Sequence, residues 1–216
     1  PQQNPEQVRV LFYTCAGGPE GEYFGIGDRR GNLPIAIRQR LLRRGLSFVP
    51  QAAVANGDHI YWDLHTWQGD RAGELSSAGQ QSNFDLAARV MGGSNEEAMK
   101  LAAGPQIAPL YGTAFRSTPV YFLQDDHDHW ENDSPLTYPV PWFQLQLART
   151  TQQLYYPEFL PDVTRSPGLP YSTSSARGEL SESFGTLRYG QLLEVLLYDV
   201  RRTLNVGALN SVFLDS

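Results

Sequence analysis

The ten residues from 124 to 133 hold the densest group of reactive side chains in the sequence. They read QDDHDHWEND and contain five carboxylates and two of the four histidines of the chain. So many acidic groups repel one another unless cations neutralise them. A solvated acidic loop is the plain alternative, but such a loop has no need of a tryptophan and two histidines. The segment therefore predicts a metal-binding or catalytic site.

Two other segments offer further ligands. NGDHIY ends at Tyr61 and places Asp58 directly behind a glycine, which permits a tight turn. Cys15, the only cysteine, follows an apolar run and is either a small buried residue or a metal ligand. One thiolate, one phenolate and several carboxylates suit a hard trivalent cation beside an oxygen-preferring divalent one. Asp126 and Asp128 would also suit a glycosidase acid/base pair, although that chemistry does not require the adjacent histidine.

Hydrophobic patterning predicts the elements that position these residues. Apolar and β-branched runs predict strands at residues 8–13, 48–55, 119–123, 184–189 and 192–198, the last two forming a hairpin. Helical spacing of apolar residues predicts helices at 34–44, 84–91, 95–103 and 142–154. Pro105 and Pro109 are expected to interrupt the chain beyond the third helix. Residues 70–81 and 161–177 are expected to be loops, the latter a flexible surface loop or lid.

Strands separated by helices predict a mixed α/β fold. In open α/β sheets, ligands bind in loops beyond the carboxyl ends of the strands. Cys15, Asp58 and Asp126 each come shortly after a predicted strand, so we expect all three on one rim of the sheet.

The bulk composition narrows the function classes. The chain has 216 residues and 41% hydrophobic residues, which fits one large globular domain, here taken as residues 1–216. A formal charge of −6 provides no basic patch for nucleic acid. No apolar run approaches the roughly 20 residues of a membrane span. The sequence indicates neither a compartment nor an oligomeric state.

Four segments in order, FYTC, NGDHIY, FLQDDHDHWEND and VLLYDVRR, resemble the PhoD-type alkaline phosphatase/phosphodiesterases, a branch of the calcineurin-like metallophosphoesterases. The resemblance covers about residues 8–204. It implies a layered α-β-β-α sandwich with mixed sheets and an exported protein. It also implies hydrolysis of phosphate mono- or diesters by a binuclear metal centre.

The resemblance also implies roles for individual residues. Cys15 and Tyr61 would ligate iron (Fe³⁺), Asp58 would bridge iron and calcium, or another divalent metal, and Asp126 would ligate the second metal. His127 would contact the phosphate near the leaving group, and Asp128 would orient that histidine. Further candidates for the site are Asp125, Asn132, Asp199 and Arg201.

The resemblance lacks one feature of the superfamily, the histidines from the second half of the fold. The superfamily completes its metal site with histidines from the second half of the fold, whereas the four histidines here lie at 59, 65, 127 and 129. We therefore expect this chain to be the N-terminal portion of a longer protein, incomplete at its C-terminus, or else a degenerate relative; either would weaken or abolish hydrolysis by this chain alone. A non-catalytic calcium-binding or interaction module on such a fold is the main alternative. It needs only the acidic loop, whereas the enzyme needs Cys15, Asp58, Tyr61 and Asp126 to converge.

Overall fold

A computed structural model describes residues 5–18, 33–63, 65–67, 75–130, 141–156 and 184–198. Its strands are β1 (Val10–Tyr13), β2 (Ala52–Asn56), β3 (His65–Trp67), β4 (Leu75–Ser77), β5 (Val120–Leu123), β6 (Phe184–Tyr189) and β7 (Leu193–Tyr198). Its helices are α1 (Ile35–Leu46), α2 (Ala78–Gln81), α3 (Ser94–Tyr111) and α4 (Pro141–Tyr155), with a 3₁₀ turn at His127–His129. None of the described helices is long and apolar enough to cross a membrane.

A parallel sheet with the order β1-β2-β5 carries the site loops. Its central strand, β2, has the sequence AAVAN, and the first four residues are almost completely buried. A continuous apolar run of this kind is typical of a parallel strand covered on both faces. Because the three strands are parallel, their carboxyl ends, at Tyr13, Asn56 and Leu123, meet at one edge.

Helices cover one face of this sheet. Ala55 and Phe122 point to that face and lie in a core with Met99 and Ile107 of α3 and Leu147 of α4. A neighbouring cluster joins α1 to the same face and is built on Leu42, Ala53, Leu110 and Phe115. Buried residues of all three helices therefore pack against the sheet that positions the candidate ligands.

The β6–β7 hairpin covers the other face. Leu187 and Leu197 of the hairpin pack against Ala52, Val54 and Leu123 of the sheet. The strands are antiparallel and turn at Gly190, whose φ of 56° favours glycine. Helices, parallel sheet and hairpin form three layers, which confirms the predicted mixed α/β class and the closing hairpin. The single domain stays a prediction.

Four local predictions were wrong, and three of them concern short segments. The segment 84–91 forms turns instead of a helix, because Asn95 hydrogen-bonds the backbone of Asp85, Ala88 and Arg89. The described part of the 70–81 loop contains β4 and α2. The strand predicted from residue 48 begins at Ala52, because Ser47 to Val49 continue the turn that ends α1.

Helix α3 continues through both prolines, contrary to expectation. A proline inside a helix removes one hydrogen bond and costs about 3 kcal/mol. Burial of Met99, Ala103, Ile107 and Leu110 in the two cores offsets that cost. The predicted loop at 161–177 lies outside the described residues.

Candidate metal centre

The loops after β1 and β2 are joined through their backbones. The Cys15 N–H donates to the Gly57 carbonyl at 3.4 Å, and the Gly17 N–H donates to the Asp58 carbonyl at 3.1 Å. This close approach requires glycine at position 17, since a Cβ there would lie 1.7 Å from the His59 carbonyl oxygen. The two loops therefore hold Cys15 and Asp58 side by side.

Asp58 is the point on which the candidate ligands converge. Its side chain is buried, and its φ of 58° follows Gly57 with a φ of 82°. The Cys15 thiol donates to Asp58 Oδ2 at 3.0 Å, and the Tyr61 hydroxyl donates to the same oxygen at 3.2 Å. The other oxygen, Oδ1, is buried and has no hydrogen-bond partner. A buried carboxylate oxygen without a donor is available to bind a cation.

Asp128 connects the loop after β5 to the loop after β2. Its buried carboxylate accepts four backbone N–H bonds, from Asp58, His59, Ile60 and Asp125, at 2.8 to 3.0 Å. Burial raises the pKa of Asp128 to about 7, although the N–H donors oppose the rise. Asp128 thus fixes the relative position of the two loops that carry the candidate ligands.

His127 is oriented by Asp63 rather than by Asp128. Its Nδ1 lies 2.6 Å from Asp63 Oδ1, and its ring lies against the Tyr61 ring with centroids 4.2 Å apart. Burial lowers the pKa of His127, but Asp63, with smaller contributions from Asp126 and Asp58, outweighs it and raises the pKa overall. A carboxylate at one ring nitrogen fixes the ring so that Nε2 faces away from it.

Three ligating groups lie close enough to share one metal ion. One atom each of Asp58, Asp126 and His127 fall within 4.8 Å of one another. Two ligands of one cation stand roughly 3 to 5 Å apart, given metal–ligand distances of about 2 to 2.5 Å. This partly buried group could therefore hold a metal ion. The identity of the metal does not follow from it.

The thiol and phenol on the other side of Asp58 both have raised pKa values. Burial, reinforced by the Asp58 carboxylate, raises the pKa of the Cys15 thiol. The same two causes raise the pKa of the Tyr61 phenol. Both groups can act as anionic ligands only where a cation replaces their protons.

The remaining candidates differ in position. Asp125 accepts the Asp126 N–H and contacts Gly57, so it lies beside the centre. His59, within the same motif as Asp58, is a core residue instead. Its Nε2 lies 2.7 Å from the Leu123 carbonyl oxygen, and burial lowers its pKa to about 4. Three predicted site residues lie outside the described residues: Asn132, Asp199 and Arg201.

Sequence reasoning missed Asp63. A carboxylate five residues after Asp58 and two after Tyr61 was visible in the run NGDHIYWD. Only the fold of the two loops, however, brings it to His127 across 64 positions of sequence.

Comparison of the chain with protein-family models, with curated proteins and with solved structures found no match.

Proposed function

We propose that this chain carries a binuclear metal centre that hydrolyses phosphate mono- or diesters, as the resemblance to PhoD-type enzymes implies. The observation that carries the proposal is the asymmetry of Asp58. One of its oxygens accepts hydrogen bonds from Cys15 and Tyr61, while the other is buried without a donor. A carboxylate can bridge two cations by directing one oxygen to each.

The donor types on the two sides of Asp58 fit different cations. Cys15 and Tyr61 supply a thiolate and a phenolate, which suit a trivalent iron. On the other side, calcium would take the oxygens of Asp58 and Asp126 and leave His127 to the phosphate. A divalent transition metal would accept the imidazole as a third ligand.

The protein's own groups have separable tasks in this proposal. Bound metals would supply Lewis acidity and lower the pKa of a water molecule. His127, held by Asp63 and with a raised pKa, provides a proton donor for an oxygen of the phosphate or leaving group. Asp128 holds the two loops in place and leaves neither oxygen free for acid/base chemistry.

The alternatives are supported less well. A calcium-binding acidic loop does not need Cys15 and Tyr61 to meet at Asp58, yet both lie within hydrogen-bond distance of it. A glycosidase using Asp126 and Asp128 would need a free Asp128 carboxylate, whereas that carboxylate binds four backbone N–H groups.

Elemental mass spectrometry of the purified chain tests the proposal. We expect iron and a second metal near one equivalent each, with both lost in Asp58→Ala and iron lost in Cys15→Ala. Glu97→Ala is the matched control, because this carboxylate is exposed and forms only a surface ion pair with Lys100.

Turnover is then measured on metal-loaded protein with a phosphate monoester and a phosphate diester. Hydrolysis that is lost in Asp58→Ala but kept in Glu97→Ala supports the function. Metal content that is equal in wild type and Asp58→Ala would show that Asp58 is not a ligand.

A further inference from the structure

A cavity of 410 Å³ lies at the same edge of the sheet as the candidate metal centre, on the face covered by the β6–β7 hairpin. Phe12, Val54 and Leu123 of the sheet form one wall, and Val195 and Leu197 of the hairpin form the other. Phe12 is 58% exposed, so the hairpin leaves this side open to solvent. The volume falls within the range of about 300 to 1,000 Å³ typical of small-molecule sites.

The cavity adjoins the metal centre through the chain itself. Tyr13, Thr14 and Asn56 continue the lining at the carboxyl edge of the sheet, and Leu196 adds to it from the hairpin. Thr14 immediately precedes Cys15, and Asn56 is two residues before Asp58. With neighbouring Cα atoms 3.8 Å apart, the Cα atoms of Cys15 and Asp58 lie within roughly 4 to 8 Å of those of Thr14 and Asn56. A phosphoryl substituent that spans about this distance from the metal centre would enter the cavity.

The lining determines what kind of substituent fits. Every lining residue is uncharged, and the two walls are apolar. An anionic or strongly hydrated group would lose its water there without gaining a charged partner, whereas an alkyl or aryl group gains from burial. We propose that this cavity receives the alcohol portion of the substrate, which is therefore a phosphoester of an apolar alkyl or aryl alcohol. The inference rests on the proposed function, because it assumes a phosphoryl group at the metal centre.

Binding of alkylphosphonates tests the inference separately from turnover. Methyl-, butyl- and hexylphosphonate are titrated calorimetrically into the chain loaded with Mn²⁺; their carbon–phosphorus bonds are not esters and are not hydrolysed. Each added methylene should tighten binding about fourfold until the cavity is filled. Equal affinity for the three compounds, or no binding of any, would overturn the inference.

Two exposed leucines of the hairpin region provide a matched pair of variants. Leu196 lines the cavity and is 58% exposed, whereas Leu192 is 46% exposed and is not part of the lining. Leu196→Glu should abolish the dependence on chain length, and Leu192→Glu should keep it. Phe12→Ser provides a second variant at the opposite wall, with the same expected loss. An unchanged dependence in both lining variants would contradict the inference.

The corresponding phosphate esters, assayed in parallel, distinguish the two proposals. Chain-length-dependent phosphonate binding without hydrolysis of any ester supports the cavity and refutes the proposed function. Hydrolysis of all esters at one rate, with no dependence of phosphonate affinity on chain length, refutes the cavity inference and supports the proposed function.

Light scattering on the same samples tests whether a second copy of the chain occupies the cavity. A wild-type dimer that Leu196→Glu dissociates, with equal affinity for the three phosphonates, would overturn the inference in favour of a second copy as the occupant.

Discussion

Gly17→Ala tests whether the contact between the loops after β1 and β2 maintains the metal centre. The added Cβ would lie 1.7 Å from the His59 carbonyl oxygen and 2.3 Å from its carbonyl carbon. Ordinary contact distances are about 3.5 to 4 Å. Because the obstructing atoms belong to the backbone, no rotamer change relieves the clash, and the loops must separate by at least about 1.5 Å.

The expected loss follows from the contacts that this separation breaks. Overpacking costs about 1 to 3 kcal/mol. The two backbone hydrogen bonds, Cys15 to Gly57 and Gly17 to Asp58, contribute about 0.5 to 1.5 kcal/mol each. We therefore expect the free energy of unfolding to fall by roughly 2 to 6 kcal/mol. The Cys15 sulfur also moves away from Asp58, so metal affinity should fall about 10- to 100-fold, as for other disturbed supporting contacts.

Urea denaturation and Co²⁺ titration, followed by thiolate-to-metal absorption, measure both effects. Gly93→Ala is the control, because a Cβ there meets no atom within 4 Å. Its stability should stay within about 1 kcal/mol of wild type. If Gly17→Ala binds Co²⁺ as tightly as wild type and unfolds at the same urea concentration, the two loops do not constrain each other as argued.

Three further outcomes follow from the site. In Asp63→Asn, we expect the pKa of His127 to fall, because the carboxylate that opposes the effect of burial most strongly is then removed. An unchanged pKa in an NMR titration of the metal-free protein would contradict this. Asp128→Asn leaves two of the four N–H donors without an acceptor, so the free energy of unfolding in urea should fall by about 2 kcal/mol or more. If the variant is as stable as the wild type, these hydrogen bonds are replaceable. Metal binding must release protons from Cys15 and Tyr61, because the pKa values of both groups are raised. The affinity for Co²⁺ should therefore increase with pH, by up to about 100-fold per pH unit if two protons are released. An affinity that does not change from pH 6 to 8 would indicate that neither group is a ligand.

The position of the candidate ligands on one rim of the sheet could be predicted, because it depends only on the direction of the strands. Three parallel strands necessarily place the residues that follow them at one edge, and Cys15, Asp58 and Asp126 each follow such a strand. The Cys15–Asp58 distance of 3.0 Å agrees with that prediction. Hydrophobic runs therefore suffice to place these candidate ligands at one edge, since they determine the strands.

The partners within the site could not be predicted in the same way. Whether Asp63 or Asp128 reaches His127 depends on loop conformations that leave no periodic pattern in the sequence. The same limit applies to α3, where tertiary burial overrides two prolines, and to 84–91, where one asparagine side chain holds a turn. Local propensity decides little where long-range contacts satisfy the backbone.

The loop conformations themselves connect metal binding at the candidate site with the stability of the loops. Cys15, Asp58 and Trp130 adopt left-handed backbone conformations, with φ of 55°, 58° and 59°. Such conformations cost about 1 to 2 kcal/mol for residues other than glycine. Glycine would remove this strain at Cys15 and Asp58, but it would also remove the thiol and the carboxylate. Asp58 adds the cost of a buried oxygen without a donor. A cation that binds both side chains stabilises the folded state without changing the strained backbone, so metal binding and the stability of these loops should be linked.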